Sequence, residues 1–183
     1  MSDTELNKTL EKLSSLSFCA QGNASFQFMS LAHHLNAAFL KDGFYQFARN
    51  KAVGVDGVSW TEYEVGLDER LEVLVSKLKR KTYKPLPSKR VYIPQGNGER
   101  RPLGISTIES KIVEKGLTRL LSSIYEADFL GFSYGFRPNK NAHQALKVIG
   151  DSINGKLVNH VVEADIKGFF DNVEHDLLLV FCK

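Results

Sequence analysis

The chain has 183 residues, 43% hydrophobic and 25% charged, ordinary globular usage that excludes general disorder. No apolar run approaches the roughly 18 residues of a membrane span, and the opening MSDTELNKTL lacks the apolar stretch of a secretory signal, so a cytoplasmic protein with no membrane contact is expected. Net charge is +3, but residues 76–105 alone carry nine Lys/Arg against one acid, net +8, while the segments on either side are net negative.

In chain order, Leu6, Leu10 and Leu13 recur at helical spacing and predict a short N-terminal helix, with a loop over 17–25. Asn36 is placed to cap a second helix carrying Phe39, Leu40 and Phe47. Gly54, Asp56 and Gly57 mark a turn. Thr61 and Glu64 form a capping-box pair that opens a helix striped by Leu67, Leu71, Leu74 and Leu78 and ended by Pro85 and Pro87. Val91-Tyr92-Ile93 and Leu103-Gly104-Ile105 flank Gly96-Asn97-Gly98, a β-hairpin pattern. Val113, Leu117, Leu120, Leu121 and Ile124 stripe one further helix; Ala142, Ala145, Leu146, Ile149 and Ile153 stripe another. Residues 157–166 read as a strand, with Val161, Glu163 and Asp165 on one face and Val162, Ala164 and Ile166 on the other. Leu177 to Phe181 resemble the opening turns of an apolar helix, and a lone strand needs neighbours, so the chain is expected to end inside a domain. The apolar character of 161–183 predicts a homo-oligomer formed there.

Two segments carry chemistry. The basic stretch is an electrostatic footprint for phosphate-bearing partners. Lys77, Lys79, Arg80 and Lys81 also suit a helix C-terminus, where the dipole favours cations, but Lys84, Lys89, Arg90, Arg100 and Arg101 lie past that helix. Tyr83 and Tyr92 among them suit either base stacking or packing. The second segment is EADIKGFFDNVEH, residues 163–175. A carboxylate at a strand end before a Gly-containing turn presents a hard oxygen ligand to Mg²⁺. Asp165 equally suits a local turn bond, with Asp171 or Asn172 capping the next helix. Cys19 and Cys182 make no disulfide framework, and the five histidines lack metal-ligand spacing.

EADIKGFFDNVEH resembles the first catalytic-aspartate motif of reverse transcriptases, in the form typical of bacterial group II intron-encoded proteins. VGVDGVSWTEYE at 53–64, RVYIPQGNGERRPLGIST at 90–107 and SYGFRPNKNAHQAL at 133–146 resemble further motifs of that family, in the same order. The resemblance implies an α+β fold, the fingers and partial palm of a right-hand polymerase. Residues 1–50 would be an N-terminal helical extension, 51–156 the fingers and 157–183 the start of the palm. The implied activity is RNA-directed DNA polymerase, a nucleotidyltransferase, in a maturase-type protein. RNA (intron or template), a DNA primer and dNTPs would be its partners and Mg²⁺ its cofactor.

By the same resemblance, Asp165 is a catalytic metal ligand, joined by the Ile166 carbonyl. Phe170 falls at the steric gate that excludes a 2′-hydroxyl, although Phe169 and Phe170 also read as core. Arg101 matches the arginine on the nucleotide triphosphate. Where the family has lysine after Ile-Pro, this chain has Gln95, with Arg100 the neighbouring cation. Arg137 either positions template or nucleotide or ties its turn to the fingers. Lys79, Arg80, Lys81, Lys84, Lys89 and Arg90 would grip RNA. The family's second catalytic motif, Tyr-Ala-Asp-Asp, is absent from the sequence, so this chain alone is expected to be inactive. The alternative is a catalytically silent RNA-binding module.

Overall fold

In the computed structural model, which describes residues 3–22, 26–94, 96, 98, 100–155 and 158–181, the chain divides into two units, Met1–Leu130 and Gly131–Lys183. The first contains helices α1 (Asp3–Gly22), α2 (Ala37–Tyr45), α3 (Trp60–Glu64), α4 (Leu67–Lys79) and α5 (Ile108–Tyr125). Strands β1 (Lys89–Pro94) and β2 (Arg100–Ile105) lie between α4 and α5. The second unit holds α6 (Ala142–Gly155) and α7 (His175–Phe181). Helices plus one two-stranded antiparallel sheet, among the described residues, agree with the α+β expectation.

Helix α1 is longer than its pattern. It continues to Gly22, through residues expected to form a loop. The hydroxyls of Ser14 and Ser15 donate to the carbonyls of Leu10 and Glu11. Ser17 Oγ donates to the Ser123 carbonyl on α5, so a tertiary contact overrides the weak helix propensity of a serine-rich stretch. Asn36 caps α2 as expected, accepting from the Phe39 N–H at 2.9 Å. Its amide also donates to buried Thr9 on α1 at 2.8 Å, which ties the cap to the neighbouring helix.

Phe39, Leu40 and Phe44 of α2, Leu71 and Leu74 of α4 and Ile112 of α5 are fully buried and form the core of the first unit. Phe44 stacks on Trp60 with centroids 4.7 Å apart. Arg119 lies over the Phe39 ring at 4.2 Å and pairs with Asp42 at 2.7 Å, which fastens α5 to α2.

The helix expected from Thr61 is two helices. Its capping box is Ser59 with Glu62: Ser59 N–H donates to Glu62 at 2.7 Å, and Glu62 N–H donates to Ser59 Oγ at 3.3 Å. The Ser59 N–H and, with it, the Ser59 hydroxyl, which donates to the same carboxylate at 2.7 Å, hold the Glu62 carboxyl below its usual pKa. Starting two residues early brings Trp60, which a Thr61 box would leave outside, into the helix, where it is buried with Tyr63. Gly66, at φ +71°, then separates α3 from α4. Helix α5 is rotated from its expected stripe, with Leu117 and Leu121 exposed and Gly116 facing the core. A Cβ on Gly116 would lie 2.8 Å from Leu40, so the glycine permits the close approach of α2.

The expected palm strand does not form. Residues 158–166 carry no ladder and are exposed, and the sheet among the described residues contains only β1 and β2. An alternating sequence without a partner strand leaves its amides to water and does not hold a strand conformation. Helix α6 begins with reciprocal bonds between Asn141 and Gln144 but buries none of its stripe. Asp171 and Asn172 do not cap α7: both lie in a short 3-10 turn, where the Asn172 side chain donates to the Gly168 carbonyl at 2.7 Å.

One buried titratable group gives the first unit a pH dependence. His34 is buried against His33, with ring centroids 3.9 Å apart, and its Nδ1 has no hydrogen-bond partner. Burial, then the charges of His33 and Lys12, push its pKa below 6.5. The unfolded chain therefore takes up a proton near pH 6.5 that the folded chain resists, and stability present above that pH is lost as pH falls below it. Urea midpoints should drop between pH 7.5 and 5.5, and His34→Leu should reduce that drop; an equal drop in both proteins refutes the assignment.

Candidate nucleic-acid interface

The basic stretch begins at the end of α4. Arg80 is the C-cap, Lys81 N–H donates to the Leu78 carbonyl and Thr82 N–H to the Lys77 carbonyl, the paired bonds of a Schellman ending. The helix thus stops before Pro85 and Pro87, which sequence made its terminators. Lys81 takes the left-handed position, φ +57°, usually given to glycine. Lys77 is engaged by Glu109 at 3.7 Å, while Lys79, Arg80, Lys81 and Lys84 are exposed. Lys81→Gly should relieve the strain and stabilise the unit by about 0.5–1 kcal/mol. The same variant should weaken RNA binding if Lys81 is a contact; urea melts and an RNA titration read the two effects separately.

The hairpin follows as a twisted ribbon whose register sorts its side chains. Lys89 pairs with Ile105, Val91 with Leu103 and Ile93 with Arg101, which sets these six on one face. Arg90 pairs with Gly104, Tyr92 with Pro102 and Pro94 with Arg100 on the opposite face. A proline has no N–H to give the partner strand, so the Tyr92–Pro102 and Pro94–Arg100 pairs belong to the class whose amides point outward. Arg100 and Arg101, adjacent in sequence, therefore serve different faces, and Arg100 does not replace a cation on the Arg101 side. Gln95, the position of the missing lysine, lies outside the described residues.

At the foot of β2 an open cavity of about 400 Å³ is lined by Lys51, Ala52, Ser106 and Lys111, among others. Lys111 Nζ donates to the Ala52 carbonyl at 3.1 Å, leaving Lys51 as the exposed cation at its rim. Neither lysine stands out in the sequence, because Lys111 and Ala52, 59 positions apart, meet only through the fold; the one local signal is that Lys51 precedes the 53–64 motif. Tyr83 resolves toward packing: it is partly buried and its hydroxyl bonds with Ser110 at 3.3 Å. Burial, the larger effect, raises its pKa.

Asp165, Ile166, Phe170 and Arg137 lie in the second unit. Asp165 and Ile166 are exposed in the irregular segment. Phe170 is 85% exposed and meets Phe169 edge-on at 5.3 Å, so neither ring is core here. Arg137 donates to the Ser133 carbonyl at 2.9 Å, a bond that ties its own turn. Asp165 and the Ile166 carbonyl offer two oxygen donors, and among the described residues no group of three or more His, Cys, Asp or Glu gathers to hold an ion. Two protein oxygens are fewer than the roughly six of an octahedral Mg²⁺ shell, so by themselves they do not complete one.

No helix among the described residues is long and apolar enough to cross a membrane. The reverse transcriptase (RNA-dependent DNA polymerase) family model matches residues 88–182, from the hairpin to α7. Protein YkfC of Escherichia coli (strain K12) is 39% identical over 129 residues, 69% of this chain and 34% of its own length. The group II intron-encoded protein LtrA of Lactococcus lactis subsp. cremoris is 37% identical over 131 residues, 71% of this chain and 22% of its own. An uncharacterized 91 kDa protein in the cob intron of Schizosaccharomyces pombe is 34% identical over 109 residues, 60% of this chain and 13% of its own. The chain spans about a third or less of the length of these relatives. Since the family model covers more than half of the sequence and the hairpin motif lies within the match, the chain belongs to the reverse transcriptase family, in its group II intron type.

Proposed function

We propose that this chain supplies the fingers, over 51–156, and the start of the palm, from 157, of a cytoplasmic RNA-directed DNA polymerase, and that by itself it binds RNA. The observation that carries the reading is the run of exposed cations from the end of α4 through both strands of the hairpin, Lys79, Arg80, Lys81, Lys84, Lys89, Arg90, Arg100 and Arg101. Arg101 holds the nucleotide triphosphate, where a planar guanidinium fork suits phosphate oxygens. Polymerases of this family use divalent metals. Asp165 with the Ile166 carbonyl supplies two oxygen donors toward such an ion, Phe170 gates the sugar, and Arg137 shapes its turn near the template. With those donors alone, primer extension by this chain with Mg²⁺ and dNTPs should give no product; extension that Asp165→Ala abolishes would overturn this.

RNA binding is tested by its salt dependence. Eight exposed cations on a helix end and two ribbon faces cannot all meet one strand, and about four to six phosphate contacts give a slope of log affinity on log salt of about −3 to −5. Raising salt from about 50 to 200 mM should then weaken binding by about two to three orders of magnitude. Alanine at Lys79, Arg80 and Lys81 together should flatten the slope by about one unit per true contact. An unchanged slope would make those three only the solvated end of α4.

A further inference from the structure

We propose that the Tyr92 face of the hairpin is a stacking platform for an unpaired base of single-stranded RNA, distinct from the Arg101 face. The inference deepens the RNA-binding reading and rests on it. Of the two tyrosines in the basic stretch, Tyr83 is spent on packing, whereas Tyr92 is 54% exposed in the middle of a ribbon that stands off the core. The register sets Pro102 directly opposite Tyr92, a rigid apolar flank for the ring. Arg90 lies two residues away along the ribbon in one direction and Arg100, opposite Pro94, two residues away in the other. Arg90 is displaced by about 7 Å along the same strand and Arg100 by about 7–8 Å on the cross-strand diagonal, placed for the phosphates on either side of a stacked nucleotide.

The chemistry selects one occupant. Among the described residues of β1 and β2 there is no acid, so the face is purely cationic around its aromatic centre. Phosphates answer the two arginines, and a base answers the ring, because every base has a π-face whatever its identity. A duplex buries those faces in its own stack, so only an unpaired strand satisfies both. The platform therefore contributes affinity without sequence preference.

Fluorescence anisotropy of the whole chain with a short, labelled, mixed-sequence single strand, and with a blunt RNA duplex of the same sequence, tests this. Tyr92→Ala should weaken single-strand binding by about five- to a hundredfold with the salt slope unchanged. Tyr92→Phe, which keeps the ring, should bind like the parent, and Tyr92→Leu, which keeps only apolar bulk, should behave like Tyr92→Ala. Duplex binding should be indifferent to all three. Arg90→Gln and Arg100→Gln should each flatten the slope by about one unit. The platform is refuted if Tyr92→Ala binds single strands as the parent does, if Tyr92→Leu restores binding, or if single strand and duplex weaken alike. If the Lys79/Arg80/Lys81 variant loses RNA while Tyr92→Ala does not, the platform alone fails. If none of these variants alters binding and no salt slope exists, the RNA reading fails with it.

Discussion

Gly54→Ala is expected to lower the melting temperature of the first unit by about 5–15 °C, a cost at or above the upper end of the roughly 1–3 kcal/mol typical of overpacking. Gly54 is buried, and a Cβ there would stand 2.7 Å from Thr107 Cα, 2.9 Å from Thr107 N and 3.1 Å from the Ser106 carbonyl carbon. These are backbone atoms at the junction where β2 passes into α5, and Thr107 caps that helix by accepting from the Ser110 N–H at 3.2 Å. A side chain could rotate away; this junction cannot move without giving up the cap. Gly57→Ala is the control, because Gly57 sits at φ +70° with open space around its Cβ position, so it costs only the left-handed conformation, about 1–2 kcal/mol. Thermal melts followed by circular dichroism decide: if Gly54→Ala melts no lower than Gly57→Ala, the contact with the α5 junction is not rigid.

Phe44→Ala should cost about 3–5 kcal/mol, a large share of the roughly 5–15 kcal/mol that holds a domain together. The ring is fully buried, stacked on Trp60 and tilted against Tyr63 at 5.9 Å. Its loss leaves Trp60 without its stacking partner and opens a cavity between α2 and α3. Phe44→Leu, closer in volume, should cost clearly less, and urea denaturation of the three proteins measures both steps. Equal midpoints for the alanine and leucine variants would mean that the site collapses around the missing ring.

What the sequence disclosed depended on the range of the interaction. The Asn36 cap and the hairpin were legible because each is decided within a few residues. The capping box is ambiguous in sequence: Ser59-x-x-Glu62 and Thr61-x-x-Glu64 have the same form, and burial of Trp60 against Phe44, sixteen residues back, chooses between them. The buried face of α5 lies part of a turn from its apolar stripe because Gly116 carries no hydrophobicity, yet it marks the side on which α2 lies closest. Over 158–166 the alternation does not become a strand, since periodicity describes faces while a ladder needs a second chain segment. The opposite orientation of Arg100 and Arg101 was implicit in their adjacency on a strand, whereas the meeting of Lys51 and Lys111 at the foot of the ribbon was not implicit in anything local.

The prolines of the hairpin have a consequence for self-association. A free two-stranded ribbon carries a row of unmatched amides along each outer margin, and with Val91, Ile93 and Leu103 exposed it would be a ready template for a third strand from another copy. Pro94 interrupts one margin and Pro102 the other, each replacing an outward N–H by a ring carbon. Lys89, Arg90, Arg100 and Arg101 add like-charge repulsion between copies. The ribbon can therefore keep apolar and aromatic groups in solvent, available to a polyanion, without seeding the growth of a cross-β stack.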